Sequence, residues 1–190
     1  MNLGENIRNA FSVVGQTYEN INKLMDFCKA TAAENNEFEL SSPKFLRWKS
    51  DKVSGWYIFS FILLFQCLDD LQLDNDWRDG PIYVLEINLD PDTYDVPTVN
   101  VAKYEYADMS SWSEGCSPAN HWVFYDPLYD APEIKQDGDL IEKNIVKTEY
   151  ASSRYWGLRR IIYKEIPLTD INNENANDII FGGFRSLADK

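Results

Sequence analysis

A single histidine, His121, stands in the whole chain. Any Cys-His or Ser-His catalytic pair must use it, and a zinc site with two or three imidazoles is ruled out within one chain. Cys116 precedes it by five residues, yet no nucleophile-elbow or cysteine-protease signature surrounds either. Beside Trp122 in an apolar segment, His121 reads as a structural donor rather than a base. The three cysteines, Cys28, Cys67 and Cys116, keep no CxxC or zinc-finger spacing. Cys28 lies in an apolar stripe and Cys67 ends an apolar run, so both read as core. Walker A, GxGxxG and HExxH motifs are absent, and no cofactor is implied.

Carboxylates offer the remaining chemistry. Asp74-Asn75-Asp76-Trp77-Arg78-Asp79-Gly80 begins like a calcium loop. Its fifth position is Arg78, its glycine comes one place late, and Leu85 stands where the bidentate Glu belongs, so no metal site is assigned. Asp79 and Glu86 have the spacing of nuclease carboxylates, but Asn88 occupies the place of the required lysine. Asp69-Asp70 and Asp126 with Asp130 have the composition of acid–base pairs and equally that of turns. Turns are the preferred reading.

The charge is uneven. The net charge is −13, and the stretch from Asp69 to Asp139 holds 17 acidic residues against three basic ones, so the excess lies in the middle of the chain. Phosphate contacts need a basic footprint, which argues against direct nucleic-acid binding there. Acidic groups in the inferred turns (Asp74, Asp76, Asp79, then Asp90, Asp92, Asp95, then Asp126 and Asp130) are expected to form one or two rims at the sheet ends. Interleaved aromatics, Trp77, Tyr94, Trp112, Trp122, Tyr125 and Tyr129, suit a recognition surface, because Trp and Tyr are common interface anchors. From these, Trp112 and Tyr129 are assigned with the carboxylates to a partner-binding site.

The elements that must position these groups follow from period. Ile7, Phe11, Val14, Tyr18, Ile21, Met25 and Cys28 recur in steps of four and three, widened by Val13, Leu24 and Phe27. That is a helix of about 25 residues whose seam packs across a sheet. The same stripe would also serve a coiled-coil or helix-exchange homodimer. Beyond it, residues 38–40, 45–49, 56–67, 82–89, 98–107, 121–125 and 158–168 read as strands, punctuated by Gly80-Pro81, Asp90-Pro91, Val96-Pro97 and Asp126-Pro127. Residues 141–147 fit a strand or a helical turn. The 98–106 segment, with Val99 and Val101 followed by Lys103 and Glu105, suits a sheet with one solvated face. A closing helix capped by Thr169 or Asp170 carries Ala176, Ile180, Phe184 and Leu187 on one face.

The expected fold is therefore α+β: one domain over residues 1–190, with a long N-terminal helix on a mostly antiparallel sheet of about five to seven strands, and a short C-terminal helix. The longest apolar run, about ten residues, is half a membrane span, which calls for about 20. With no export signal and thiols expected to be reduced, a cytoplasmic setting is expected. The function expected is non-enzymatic: a binding or inhibitor protein that engages a basic protein surface through its acidic, aromatic-rich middle. Immunity proteins for basic toxins and phage anti-defence proteins share that logic. A small carboxylate-dependent hydrolase or nuclease, and a structural protein that oligomerises through its N-terminal helix, are the alternatives.

Overall fold

The computed structural model describes residues 2–47, 55–90, 92, 95–130, 133–145 and 153–190. Its first element, α1 (Leu3–Asn35), is longer than the periodic stripe because both ends are capped. The Asn2 side chain accepts from the Gly4 N–H, and Asn36 closes the other end in the left-handed region at φ 48°. Three short or buried strands follow: β1 (Phe38–Leu40), β2 (Leu46–Arg47) and β3 (Ser60–Cys67). The remaining elements are β4 (Ile82–Asn88), β5 (Thr98–Tyr106), α2 (His121–Asp130), β6 (Glu133–Asp137), β7 (Leu140–Asn144), β8 (Leu158–Pro167) and α3 (Ala176–Ala188). All strands join one antiparallel sheet of eight, in the order β1-β3-β4-β5-β8-β7-β6 with β2 also on β3. The α+β class and both terminal helices match expectation; two very short strands bring the sheet to eight.

Both faces of this sheet are covered. Alternation along β3, β4 and β5 sends Phe61, Leu63, Phe65, Tyr83, Leu85, Ile87, Val99 and Val101 to one side, beneath α1 and α3. Ile62, Leu64, Ile82, Val84, Ala102 and Tyr104 go to the other, beneath α2 and the loops around it. Two buried faces explain why β3 and β4 read as continuous apolar runs rather than alternating ones. They also correct the expectation of a solvated face around β5. Lys103 is buried, with its ammonium 3.1 Å from Glu105 and 3.5 Å from the Ala188 carbonyl, so its apolar stem joins the packed layer.

Three further expectations change. Residues 121–125 form the start of a helix, not a strand. Ser117 and Asn120 make a reciprocal capping box with Pro118 inside it, and Val123, Phe124, Pro127 and Leu128 then fall on one buried helical face. β3 begins at Ser60 rather than Trp56, which is exposed. The last helix begins at Ala176: Thr169 and Asp170 belong to a separate 3-10 turn, while Asn172 accepts from the Glu174 and Asn175 N–H groups in the turn that follows. Residues 48–49 and 146–147 of the expected strands lie outside the described residues.

α1 packs for only half its length. Ile21, Met25, Cys28 and Ala32 are buried and Tyr18 and Leu24 border the core, whereas every residue from Leu3 to Gln16 is exposed. Phe11, expected in the seam, is 75% exposed. At the other end of the chain, α3 lies against β5, and Gly183 permits this: a β-carbon there would sit 2.9 Å from Val101 Cγ1.

Candidate functional site

Antiparallel order decides where the expected acidic residues go. The β3–β4 connection holds Asp69, Asp74, Asp76 and Asp79 at one end of the sheet; the β4–β5 connection holds Asp90, Asp92 and Asp95 at the other. The seven residues of β4 separate the two ends by about 23 Å. The expected partner-binding residues therefore do not form one patch. The third group rides on α2. There Asp126 accepts from Arg154, Asp130 is exposed, and the Tyr129 hydroxyl turns inward. Burial raises the Asp126 carboxyl above its ordinary range, and the Arg154 hydrogen bond opposes this. Tyr94 lies outside the described residues.

The end bearing Asp74 and Asp76 is the more elaborate. Asn75 Nδ2 donates to the carbonyls of Met109 (2.8 Å) and Trp112 (3.0 Å), and the buried Trp77 indole donates to the Ser113 carbonyl at 3.0 Å. These bonds fasten the β3–β4 connection, which carries Asp74 and Asp76, to the segment after β5, which carries Asp108 and Glu114. Asn75 is thus a brace, not a ligand in waiting, and Asp76 takes a left-handed φ of 66°. Among the described residues no group of three or more His, Cys, Asp or Glu is placed to hold a metal ion. Arg78, the cation of this connection, folds inward onto Glu39 and the carbonyls of Leu68 and Asp70. Asp69 and Asp70 stand in the turn that the sequence favoured for them: Asp69 is exposed, while the Asp70 carboxyl packs on Gly80.

A cavity of about 460 Å³ opens at this end, between Ala107-Asp108, Ser111 to Ser113, and Trp156-Gly157. Its wall is an indole cluster. Trp112 meets Trp156 edge-on at 4.9 Å and Tyr106 at 4.6 Å, and its Nε1–H donates to the Trp156 carbonyl at 3.1 Å. Trp156 and Gly157 hold left-handed φ values of 53° and 81°, which turn the chain tightly enough to present the ring. Asp108 sits on the rim. Its carboxylate accepts from the Ser110 hydroxyl and N–H, and these bonds hold it below the usual carboxylate range. An indole face, a firmly ionised carboxylate and neighbouring acids are complementary to a cation.

A second polar site lies beneath α2 and was only partly visible in the sequence. Ser60, Glu86, Asn88, Thr98 and Asn100 occupy the same face of three adjacent strands, by the pairings Ser60 with Asn88 and Glu86 with Asn100. Glu86 is fully buried. Its Oε1 accepts from Ser60 (2.9 Å), and its Oε2 from Asn100 (3.0 Å) and Tyr129 (3.0 Å). His121 Nε2 lies 2.8 Å from Ser60 Oγ, and the His121, Tyr125 and Tyr129 rings form one stack down α2. Burial pushes the Glu86 carboxyl up to about 7, against three hydrogen bonds that lower it, and pushes His121 down to about 4. Ser60 has one proton to give. When it gives that proton to the Glu86 carboxylate, His121 must donate from Nε2, which leaves Nδ1 bare; Nδ1 is indeed buried without a partner among the described residues.

This network separates groups that spacing alone would join. Asp79 accepts from the Leu71 N–H in the β3–β4 connection, while Glu86 lies near the opposite end of β4, so the two do not make a nuclease pair. Cys116 approaches Asn120, not His121. Ser60 and Glu86 are fully buried and His121 is 1% exposed, so this network lies behind protein. Comparison with protein-family models, curated proteins and solved structures finds no match to this chain.

Proposed function

We propose that this protein is a non-enzymatic binder of a basic protein surface, and that it takes a cationic side chain of that partner into the Trp112–Trp156 cavity. One observation carries the reading: a cavity walled by Trp112 and Trp156 opens beside Asp108, on the end of the sheet that also bears Asp74, Asp76 and Glu114. A desolvated cation on an indole face gains up to about 2 kcal/mol, and the surrounding carboxylates steer the encounter. Asp79 stands at the same end of the sheet. Asp90, Asp92 and Asp95 stand at the far end and contribute to steering rather than contact. Among the described residues Glu86 is the carboxylate that burial shifts furthest, and its full burial supports binding over hydrolysis.

The test uses oligo-arginine and oligo-glutamate peptides, read by tryptophan fluorescence and stopped flow. Oligo-arginine should bind saturably, with an association rate that falls as salt rises from 0.05 to 0.5 M, because the screening length contracts several-fold. Asp108→Asn with Glu114→Gln should slow association, and Trp156→Ala should speed dissociation. Equal binding of both peptides, or oligo-arginine binding untouched by all three substitutions, overturns the proposal.

A further inference from the structure

The hydrogen-bond acceptors around the Trp112–Trp156 cavity are unevenly free, and this bears on which cation can use them. Among the described residues of its lining, Asp108 alone is charged. Ser110 gives it two hydrogen bonds, from the N–H at 2.8 Å and from the hydroxyl at 2.7 Å, and both end on the same oxygen, Oδ1. A carboxylate oxygen has two lone pairs, so Oδ1 is filled and Oδ2 is left open. The other polar side chains of the lining are Ser111 and Ser113. Both are exposed, and their hydroxyls make no hydrogen bond to the protein among the described residues.

The segment that carries these groups is held in place. Met109 is buried, the Trp112 N–H donates to its carbonyl at 3.1 Å, and Asn75 Nδ2 bonds the carbonyls of both residues. Asp108, Ser110, Ser111 and Ser113 are thus interleaved with fixed points of the chain. An acceptor set built on such a segment is ordered before a ligand arrives, which lowers the cost of binding.

Arginine and lysine ask different things of that set. A guanidinium gains over an ammonium by gripping both oxygens of a carboxylate with two parallel N–H groups, and it brings five donors in one plane. At Asp108 one oxygen is already taken, so the fork engages by half and leaves donors to spare. An ammonium is a point charge with three donors. The described lining offers three side-chain acceptors to match: Asp108 Oδ2 and the hydroxyls of Ser111 and Ser113. The indoles attract either cation. We infer that the cavity selects a lysine side chain over an arginine, and that Ser110 sets this preference by occupying one oxygen of Asp108. The inference rests on the reading of the cavity as a cation site, and it narrows the partner to a basic surface that presents lysine. Ser110 is a positioning residue, acting on the ligand through Asp108.

Oligo-lysine and oligo-arginine of equal length, titrated into the full chain at fixed ionic strength and read by tryptophan fluorescence, provide the test. Oligo-lysine should bind about fivefold more tightly, the worth of about one net hydrogen bond. Ser110→Ala frees a lone pair of Oδ1, so it should raise the affinity for oligo-arginine and bring the ratio to about one, with unchanged circular dichroism. Ser111→Ala with Ser113→Ala should weaken oligo-lysine more than oligo-arginine. Oligo-trimethyllysine keeps the charge without the N–H donors and should bind more weakly than oligo-lysine. Oligo-arginine binding as tightly as oligo-lysine to the unaltered chain overturns the inference and leaves the cation reading standing. A lysine preference indifferent to Ser110→Ala overturns the role of Ser110. Oligo-trimethyllysine binding as tightly as oligo-lysine overturns selection by the acceptors and assigns it to the indoles. Saturable binding of neither oligo-lysine nor oligo-arginine overturns the cation reading itself.

Discussion

Glu86 and His121 bond the same hydroxyl, that of Ser60, at 2.9 Å and 2.8 Å, and burial moves their proton affinities in opposite directions. Between them they trade one proton against the unfolded chain. In the folded protein that proton stays on the carboxyl; in the unfolded chain, at mildly acidic pH, it sits on the imidazole.

The pH dependence follows from the two signs. The folded-state value of Glu86 is raised from 4.5 to about 7, so its stabilisation is full below pH 4.5 and lost as pH rises through 7. That of His121 is lowered from 6.5 to about 4, so its stabilisation is full above pH 6.5 and lost as pH falls through 4. The slopes oppose each other between about pH 4.5 and 6.5. Glu86→Gln removes one of them, so the stability of the variant relative to wild type should rise by about 3 kcal/mol between pH 4.5 and a pH above 7. Urea melts at pH 4.5, 6 and 8 would measure the difference. A constant offset between the two proteins would show that Glu86 does not titrate in the folded state.

The adjacent glycines of α3 should respond oppositely to alanine. Nothing lies within 4 Å of a β-carbon at Gly182, so Gly182→Ala should stabilise by about 1 kcal/mol through helix propensity. At Gly183 the new atom meets Val101 at 2.9 Å on a packed strand. That overpacking costs about 1–3 kcal/mol and should lower the thermal midpoint. Equal shifts in calorimetry would mean that α3 does not close on β5 as described.

The two halves of α1 should separate in stability. Ile21→Ala and Met25→Ala each remove a buried side chain and should cost about 2–5 kcal/mol in denaturant melts. Phe11→Ala, at an exposed position, should leave the midpoint within experimental error. A large loss at Phe11 would place its ring in the core.

Thiol chemistry probes the core independently. Burial pushes the Cys28 and Cys116 thiols up to about 12, so both stay protonated at pH 8 and should react slowly with an aromatic disulfide reagent. Cys28, on the buried face of α1, should be labelled only at the rate of unfolding. Rapid labelling of Cys28, located by peptide mass, would show that α1 detaches from the sheet in the native protein.

Much of the fold was legible in chain order. The four-and-three spacing from Ile7 to Cys28 identified α1, and the apolar runs of β3 and β4 with their Gly-Pro and Asp-Pro boundaries identified the sheet. His121 to Tyr125 was misread, because a short aromatic run has no clear period. The capping box at Ser117 and Asn120, and the burial of Pro127 and Leu128, settle it as a helix. The seam of α1 gave no sign of where its own sheet would stop covering it, since period records that a face is apolar and not what lies against it.

The carboxylate excess of the middle segment, the lone imidazole and the long helix were determined by the sequence itself. Strand order and register decided the rest. Direction reversal at each turn sent Asp74 and Asp90 to opposite ends of the sheet. Register set Glu86 beside Ser60, 26 positions away, and the passage of α2 set His121 beside Ser60 across 61. Local propensity and pattern act over a few residues, whereas the hydrophobic burial that pairs distant strands is non-directional and leaves its register to the packing of both faces at once.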